Sequence, residues 1–195
     1  MKPQPVVRRS VLRQWLSAPG SLSRRLAALG KRFEVQTLHQ GAGRLERAEA
    51  ADLWPHRHTR GWVREVLLRV DGMPLVWARS VAPRGSLNGP WRALRGLGSR
   101  PLADLLFKDK RVQRTPLRRE RLALRGPLAS RLARQWRHAN DGARPPRGMV
   151  WARSSVFHRR GAPLRVMEVF APSLCAVRPT HRLGVGSMDP RAHAR

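Results

Sequence analysis

Four ionisable residues of this chain stand in runs of apolar residues, at positions where a charge needs a reason. Arg64 and Glu65 lie in GWVREVLLRVDG (61–72), Arg79 in MPLVWARSVAP (73–83) and Glu168 in PLRVMEVFAP (163–172). A guanidinium presents paired N–H donors that match a carboxylate. A carboxyl group held on an apolar face can orient a hydroxyl or move a proton. Two arginines facing a common interior would therefore suit a small anion such as a dicarboxylate.

Whether they face a common interior depends on the strands that carry them. Alternate residues of a strand share a face. Trp62, Arg64, Val66, Leu68 and Val70 form one face, on which Arg64 is the single charge; Val63, Glu65, Leu67 and Arg69 form a mixed face expected to meet water. Asp71-Gly72 is a two-residue type I′ turn signal. Counting outward from it pairs Val70 with Met73, Leu68 with Leu75, Val66 with Trp77 and Arg64 with Arg79. Like charges directly opposed are unfavourable, and unpaired buried charge is costly, so an anion is missing. On the late strand, Leu164, Val166, Glu168 and Phe170 share a face whose only charge is Glu168. An internal salt bridge from Glu168 to one arginine is one reading. It leaves the second arginine unbalanced, which a bound anion would not.

The remaining elements are short. Residues 10–16 suggest a helix with Leu12, Trp15 and Leu16 on one side. Residues 21–30 suggest another, with Ser21 as N-cap and Gly30 just past its end. Residues 32–39 read as a strand and 40–60 as loop with short helix. SLNGPWRALRGLG and SRPLADLLF read as two short helices, the second with Pro101 at its first position. Residues 111–122 are a poor strand interrupted by Pro116. Residues 126–140 form a helix with Leu128, Leu132 and Trp136 four apart. MVWARSSVFH, the turn RRGA and PLRVMEVFAP make a second hairpin. Hairpins with helices between them predict an α+β class built on an antiparallel sheet.

The chain has 195 residues with a formal net charge of +28, from 40 Lys+Arg against 12 Asp+Glu, and an isoelectric point near 12.0. That length suits one domain: 1–195 as a unit, with a core over about 10–174 and a flexible tail at 175–195. Only four of the 40 basic residues are lysines, leaving 36 arginines, many of them single on ordinary segments. Compositional bias explains this as well as a polyanion partner does, and no nucleic-acid partner is expected. With one cysteine there is no internal disulfide. The N-terminus lacks an apolar signal core and no run is long enough to span a bilayer, so a cytoplasmic monomer is expected. His56-Arg-His58 has a metal-like spacing without a third ligand. Cys175 lacks a base nearby in sequence. The GVG at 184–186 follows no strand. No metal is expected. The tryptophans suit core and pocket walls, with Trp62 and Trp77 on the predicted inner face.

WVREVLLRVDGMPLVWARSVAP, LNGPWRALRGLGSRPLADLLF, VWARSSVFH and MEVFAPS, taken in this order, resemble the bacterial chorismate lyase family, which makes 4-hydroxybenzoate for ubiquinone. The resemblance runs from about residue 12 to 174 and is strongest over the first hairpin and the helix pair after it. It implies a six-stranded antiparallel sheet with helical flaps over a buried ligand site. It also implies a cofactor-independent elimination of pyruvate from chorismate. On the matching positions it implies Arg64 and Arg79 as carboxylate ligands and Glu168 as the acid on the late strand. Leu22 and Leu102 would contribute backbone groups from the flaps; a methionine can stand in the family where Leu22 stands. Chorismate is the implied substrate and 4-hydroxybenzoate the product. Glu168 either transfers a proton or only orients the substrate for a concerted step. Ala78, where the family often has glycine, the long stretch 124–148 and the tail after 174 depart from the pattern. The alternative is a carboxylate-sensing domain of the same fold, as in transcription regulators; a DNA-binding helix-turn-helix is not evident before residue 60.

Overall fold

The computed structural model describes residues 9–53, 59–123, 125–140, 145–146 and 148–177. His56 and His58, the GVG at 184–186 and most of the predicted tail lie outside the described residues, as does the side chain of Cys175. Helices are α1 (Arg9–Ser17), α2 (Leu22–Ala27), α3 (Arg47–Leu53), α4 (Ala103–Lys108) and α5 (Gly126–Ala139). Strands are β1 (Phe33–Arg44), β2 (Arg60–Val70), β3 (Met73–Ala82), β4 (Val112–Arg114), β5 (Arg118–Ala123), β6 (Met149–Arg159) and β7 (Ala162–Phe170). The order across the sheet is β1-β2-β3-β7-β6-β4, with β5 also on β6, and the pairings are antiparallel.

Seven strands thus replace the expected six, for a local reason. β4 pairs with residues 157–159 of β6 and β5 with residues 149–154. They share one edge of β6, broken at Thr115–Leu117, where Pro116 supplies no ladder N–H. The short α2 and α4 lie over one face of the sheet as the expected flaps. α2 starts after Ser21, whose hydroxyl accepts from the Arg24 amide. It ends at Ala27, before the predicted Gly30. Gly30 has another use: a Cβ there would stand 2.2 Å from the Asp71 carboxylate, which accepts from the Lys31 and Arg32 amides. α4 starts after Leu102, so Pro101 precedes the helix.

The hairpin β2–β3 turns at Asp71-Gly72, both with positive φ, as type I′ geometry requires. Its first pair is Val70–Met73 as predicted, and the register then shifts between Leu68 and Arg69. Leu75 is the extra residue, next to Pro74. Proline cannot donate to the ladder and sits in strands at bulges. Beyond the bulge Leu68 pairs with Val76, Glu65 with Arg79 and Arg64 with Ser80. A one-residue slip exchanges the faces of a strand, so Arg79 lies on the opposite face from Arg64. Trp77 moves with it and packs against α5, while Trp62 keeps the predicted side.

Both faces of the sheet are covered. α1, α2 and the 3₁₀ turn Pro172–Ala176 pack over Val66, Leu68, Val76 and Phe170. The 3₁₀ turns Gly85–Asn88 and Arg92–Leu94 and α4 close the adjoining part around Trp62, Trp91 and Phe157. On the other face α5 buries Leu132 and Trp136 against Leu67, Trp77 and Val169. α3 buries Ala50 and Leu53 against Val63 and Val81. The mixed face of β2 is therefore interior, and Glu65, expected in water, is fully buried.

Candidate active site

A cavity lies between the first face of the sheet and the flaps. It is lined by Leu22 and Ser23 of α2, Leu102, Ala103, Leu106 and Phe107 at α4, and Arg64, Ser80, Arg114, Arg153, Ser155 and Glu168 from the strands. Counting the open space at its mouth, about 580 Å³ there is free of protein atoms. Apolar walls come from Val35, Val66, Leu68, Ala78, Phe157 and Val166. Of the sequence-predicted site residues, Arg64, Glu168, Leu22 and Leu102 meet here. Arg79 does not.

Arg64 is 2 % exposed. Its Nη2 donates to the Gly98 carbonyl at 2.8 Å and to the Arg100 carbonyl at 3.0 Å, while Nε has no partner. Among the described residues no carboxylate pairs with it. Burial lowers its pKa to about 10, well below the ordinary guanidinium value. The guanidinium is held open by two backbone carbonyls of the segment before α4, and it lacks an anion.

Glu168 does have an internal partner. Arg153, 1 % exposed, donates from Nε to Glu168 Oε2 at 2.5 Å. Its Nη1 donates to the Trp15 and Ala18 carbonyls at 3.1 and 2.8 Å, which ties the pair to the end of α1. Oε1 of Glu168 accepts no hydrogen bond among the described residues. Sequence reasoning missed Arg153, yet a signal existed: counting back from a two-residue Arg160-Gly161 turn pairs Arg153 with Glu168, as observed. Arg114, also missed, lies beside Phe157 on β4. Its strand is only three residues long and ends just before Pro116, so its alternation is too short to read.

On the far face each buried arginine has carboxylates. Arg79 Nε donates to Glu49 Oε1 at 2.7 Å, and Nη2 to Glu49 Oε2 at 3.0 Å and the Arg44 carbonyl at 2.7 Å. Nη1 donates to Glu65, which also accepts from Arg131 at 3.3 Å and Gln135 at 2.5 Å. Burial would lower the Arg79 pKa, but hydrogen bonds and charge from Glu49 and Glu65 outweigh it and raise it. Arg165 similarly pairs with Asp52 at 2.8 Å and Glu120 at 3.3 Å. Arg79 is thus a structural ion, with its donors satisfied inside the protein. Carboxylates thus meet the buried arginines outside the pocket, whereas none among the described residues pairs with Arg64. Among the described residues no cluster of three metal-ligating side chains occurs, and no described helix is long and apolar enough to cross a membrane.

Residues 5–177 match the family model described as chorismate lyase. A probable chorismate pyruvate-lyase of Albidiferax ferrireducens is 49 % identical over 165 residues, 85 % of this chain and 83 % of that protein. Another, of Aromatoleum aromaticum, is 42 % identical over 166 residues, 84 % of this chain and 85 % of the relative. Among solved structures, PhnF of Mycobacterium smegmatis superposes with a TM-score of 0.51 at 12 % identity, covering 78 % of this chain and 64 % of that one. A GntR-family regulator of Bacillus cereus gives 0.50 at 8 % identity, covering 72 % and 92 %. At such identities these two likenesses concern the fold alone.

Proposed function

The chain belongs to the chorismate lyase family, and we infer that the flap-covered pocket is where it converts chorismate to 4-hydroxybenzoate and pyruvate, the step that supplies the aromatic ring of ubiquinone. The observation that carries the assignment of the pocket is Arg64: a buried guanidinium in the cavity wall that pairs with no carboxylate among the described residues. In this reading Arg64 receives the ring carboxylate. The amide ends of the flaps at Leu22 and Leu102 contribute N–H groups, since the first N–H groups of a helix lack internal partners. Glu168, held through Oε2 by Arg153, presents Oε1 to the 4-hydroxyl at the far end of the ring.

The elimination breaks the C3–O bond, whose electron pair leaves with the enolpyruvyl oxygen. The C4–H bond breaks, and its electrons complete the aromatic ring. The released proton is matched by one gained at the enolpyruvyl methylene, giving pyruvate. Aromatisation drives the reaction, so a cofactor is unnecessary, and the work of the pocket is orientation and exclusion of water. A cytoplasmic monomer fits this reading; light scattering after gel filtration checks the monomer.

Incubation with chorismate should yield 4-hydroxybenzoate and pyruvate in equal amounts; no product would favour a sensing domain. Arg64→Ala should abolish most turnover, and near-parental kcat/KM would sink the role of Arg64. Glu168→Gln separates its two roles: a fall in kcat beyond about tenfold, or about 1.4 kcal/mol, indicates proton transfer, and a smaller one indicates orientation.

A further inference from the structure

Three arginines and one glutamate surround the pocket, and the substrate of the reading above has two carboxylates. Arg153 is neutralised by Glu168 and locked to backbone carbonyls. That leaves two guanidiniums, Arg64 and Arg114, without an ion-pair partner among the described residues, and the protein side of the site carries two excess positive charges. Chorismate carries two negative ones.

Arg114 is built to hold an anion. Its guanidinium lies 5.1 Å from the centroid of Phe157 and 5.9 Å from that of Phe107, two rings that meet edge to face. Such stacking fixes the guanidinium plane without using its N–H groups. Nε donates to Ser155 Oγ at 2.9 Å. Nη1 has only a long 3.5 Å contact to the Gly20 carbonyl, and Nη2 makes no hydrogen bond among the described residues. On the outer edge of the fork, Nη2 has no partner among the described residues and Nη1 is held only by that long contact.

Its position says which carboxylate. Burial lowers its pKa first; the positive charge of Arg153 lowers it further and the negative charge of Glu168 raises it. Arg114 is thus close enough to the Arg153–Glu168 pair to feel both charges. Arg64 stands on β2, two strands from β7 across the sheet, whereas Arg114 stands on β4, next to β6, where Arg153 pairs with Glu168 of β7. In chorismate the ring carboxylate is para to the 4-hydroxyl, and the enolpyruvyl ether is on the carbon next to it. With the hydroxyl at Glu168 and the ring carboxylate at Arg64, the enolpyruvyl group projects at the Arg114 end.

We propose that Arg114, packed against Phe107 and Phe157, is the receptor for the enolpyruvyl carboxylate and so the residue that distinguishes substrate from product. The role assigned from the sequence to Arg79 passes to Arg114, and the inference rests on the reading that Arg64 binds the ring carboxylate. The product has lost the enolpyruvyl carboxylate, so Arg114 contacts chorismate and not 4-hydroxybenzoate. It also favours release: once pyruvate leaves, one of the two ionic anchors is empty.

The test is Arg114→Gln and Arg114→Lys in the full chain, with kcat/KM for chorismate and calorimetric Kd for 4-hydroxybenzoate, beside Arg64→Gln. Loss of one partner of a desolvated charge pair predicts that Arg114→Gln lowers kcat/KM about a hundredfold or more. Arg114→Lys should recover part of it. The Kd for 4-hydroxybenzoate should stay within about threefold of the parent, which also reports that the variant is folded and its pocket intact. Turnover by Arg114→Gln within about fivefold of the parent, or product affinity falling in step with turnover, overturns the proposal. Arg64→Gln must weaken 4-hydroxybenzoate by about thirtyfold or more; if it does not, the ring-carboxylate reading fails, whatever Arg114 does.

Discussion

Replacing Arg64 with methionine should remove activity and leave the protein at least as stable. The guanidinium is buried without a carboxylate partner among the described residues, and its pKa stands at about 10, well below the ordinary guanidinium value. At about 1.4 kcal/mol per tenfold change in proton affinity, the folded state bears about 3 kcal/mol for keeping Arg64 charged. Methionine fills a similar volume without that charge. Against the gain stand the Gly98 and Arg100 carbonyls, which lose a donor, at about 1–2 kcal/mol if no water replaces it. The balance is a gain of about 1–2 kcal/mol, hence a Tm higher by about 2–8 °C for a chain of this size. Thermal melts with and without 4-hydroxybenzoate measure both halves. The parent Tm should rise with ligand, because a ligand bound only to the folded state stabilises it, and the variant Tm should not. A variant Tm more than about 4 °C below the parent would mean that Arg64 is compensated inside the protein, and the case for an absent anion would collapse.

The opposite outcome is expected on the other face: Arg79→Leu strands Glu49 and Glu65 in the interior and should cost about 3–5 kcal/mol, seen as a large drop in denaturation midpoint. Benzoate, which has a carboxylate and no phenol, should bind with constant affinity up to about pH 9 and lose it as pH rises through about 10, where the empty-site Arg64 gives up its proton; calorimetry across that range checks it. Because the folded pKa of Arg64 lies below its unfolded value, the penalty on the folded state begins to fade as pH rises through about 10 and goes on fading toward the ordinary guanidinium range, so the stability difference between parent and Arg64→Met should shrink above about pH 10. Gly30→Ala would press a methyl on the Asp71 carboxylate and displace it from the Lys31 and Arg32 amides, at about 1–3 kcal/mol by chemical denaturation.

Local patterns in the chain were enough for much of the fold and for half of the site. Alternation in 61–72 and 163–172 put Arg64 and Glu168 on the pocket face, because period-two spacing holds whatever the strand packs against. Asp71-Gly72 specified its turn because few residue pairs accept positive φ at both positions. Ser21 specified the start of α2, and the Leu128–Leu132–Trp136 spacing specified the buried side of α5. What depended on tertiary structure was of another kind. Leu75 bulges out beside Pro74, and that one residue moves Arg79 and Trp77 to the far face. Pro74 was visible, but whether a proline bulges a strand depends on which neighbours it must pair with. Glu65 is buried because α3 and α5 cover a face that, judged by its own residues, could have met water. Arg114 reaches the pocket through the pairing of β4 with β6, segments far apart in the chain, whereas Arg153 sits in the local β6–β7 hairpin and was legible from its turn. Residue spacing thus determined which charges share a strand face. Only the packed sheet decided which of those charges find a counter-ion within the protein and which, Arg64 and Arg114, have no ion-pair partner among the described residues.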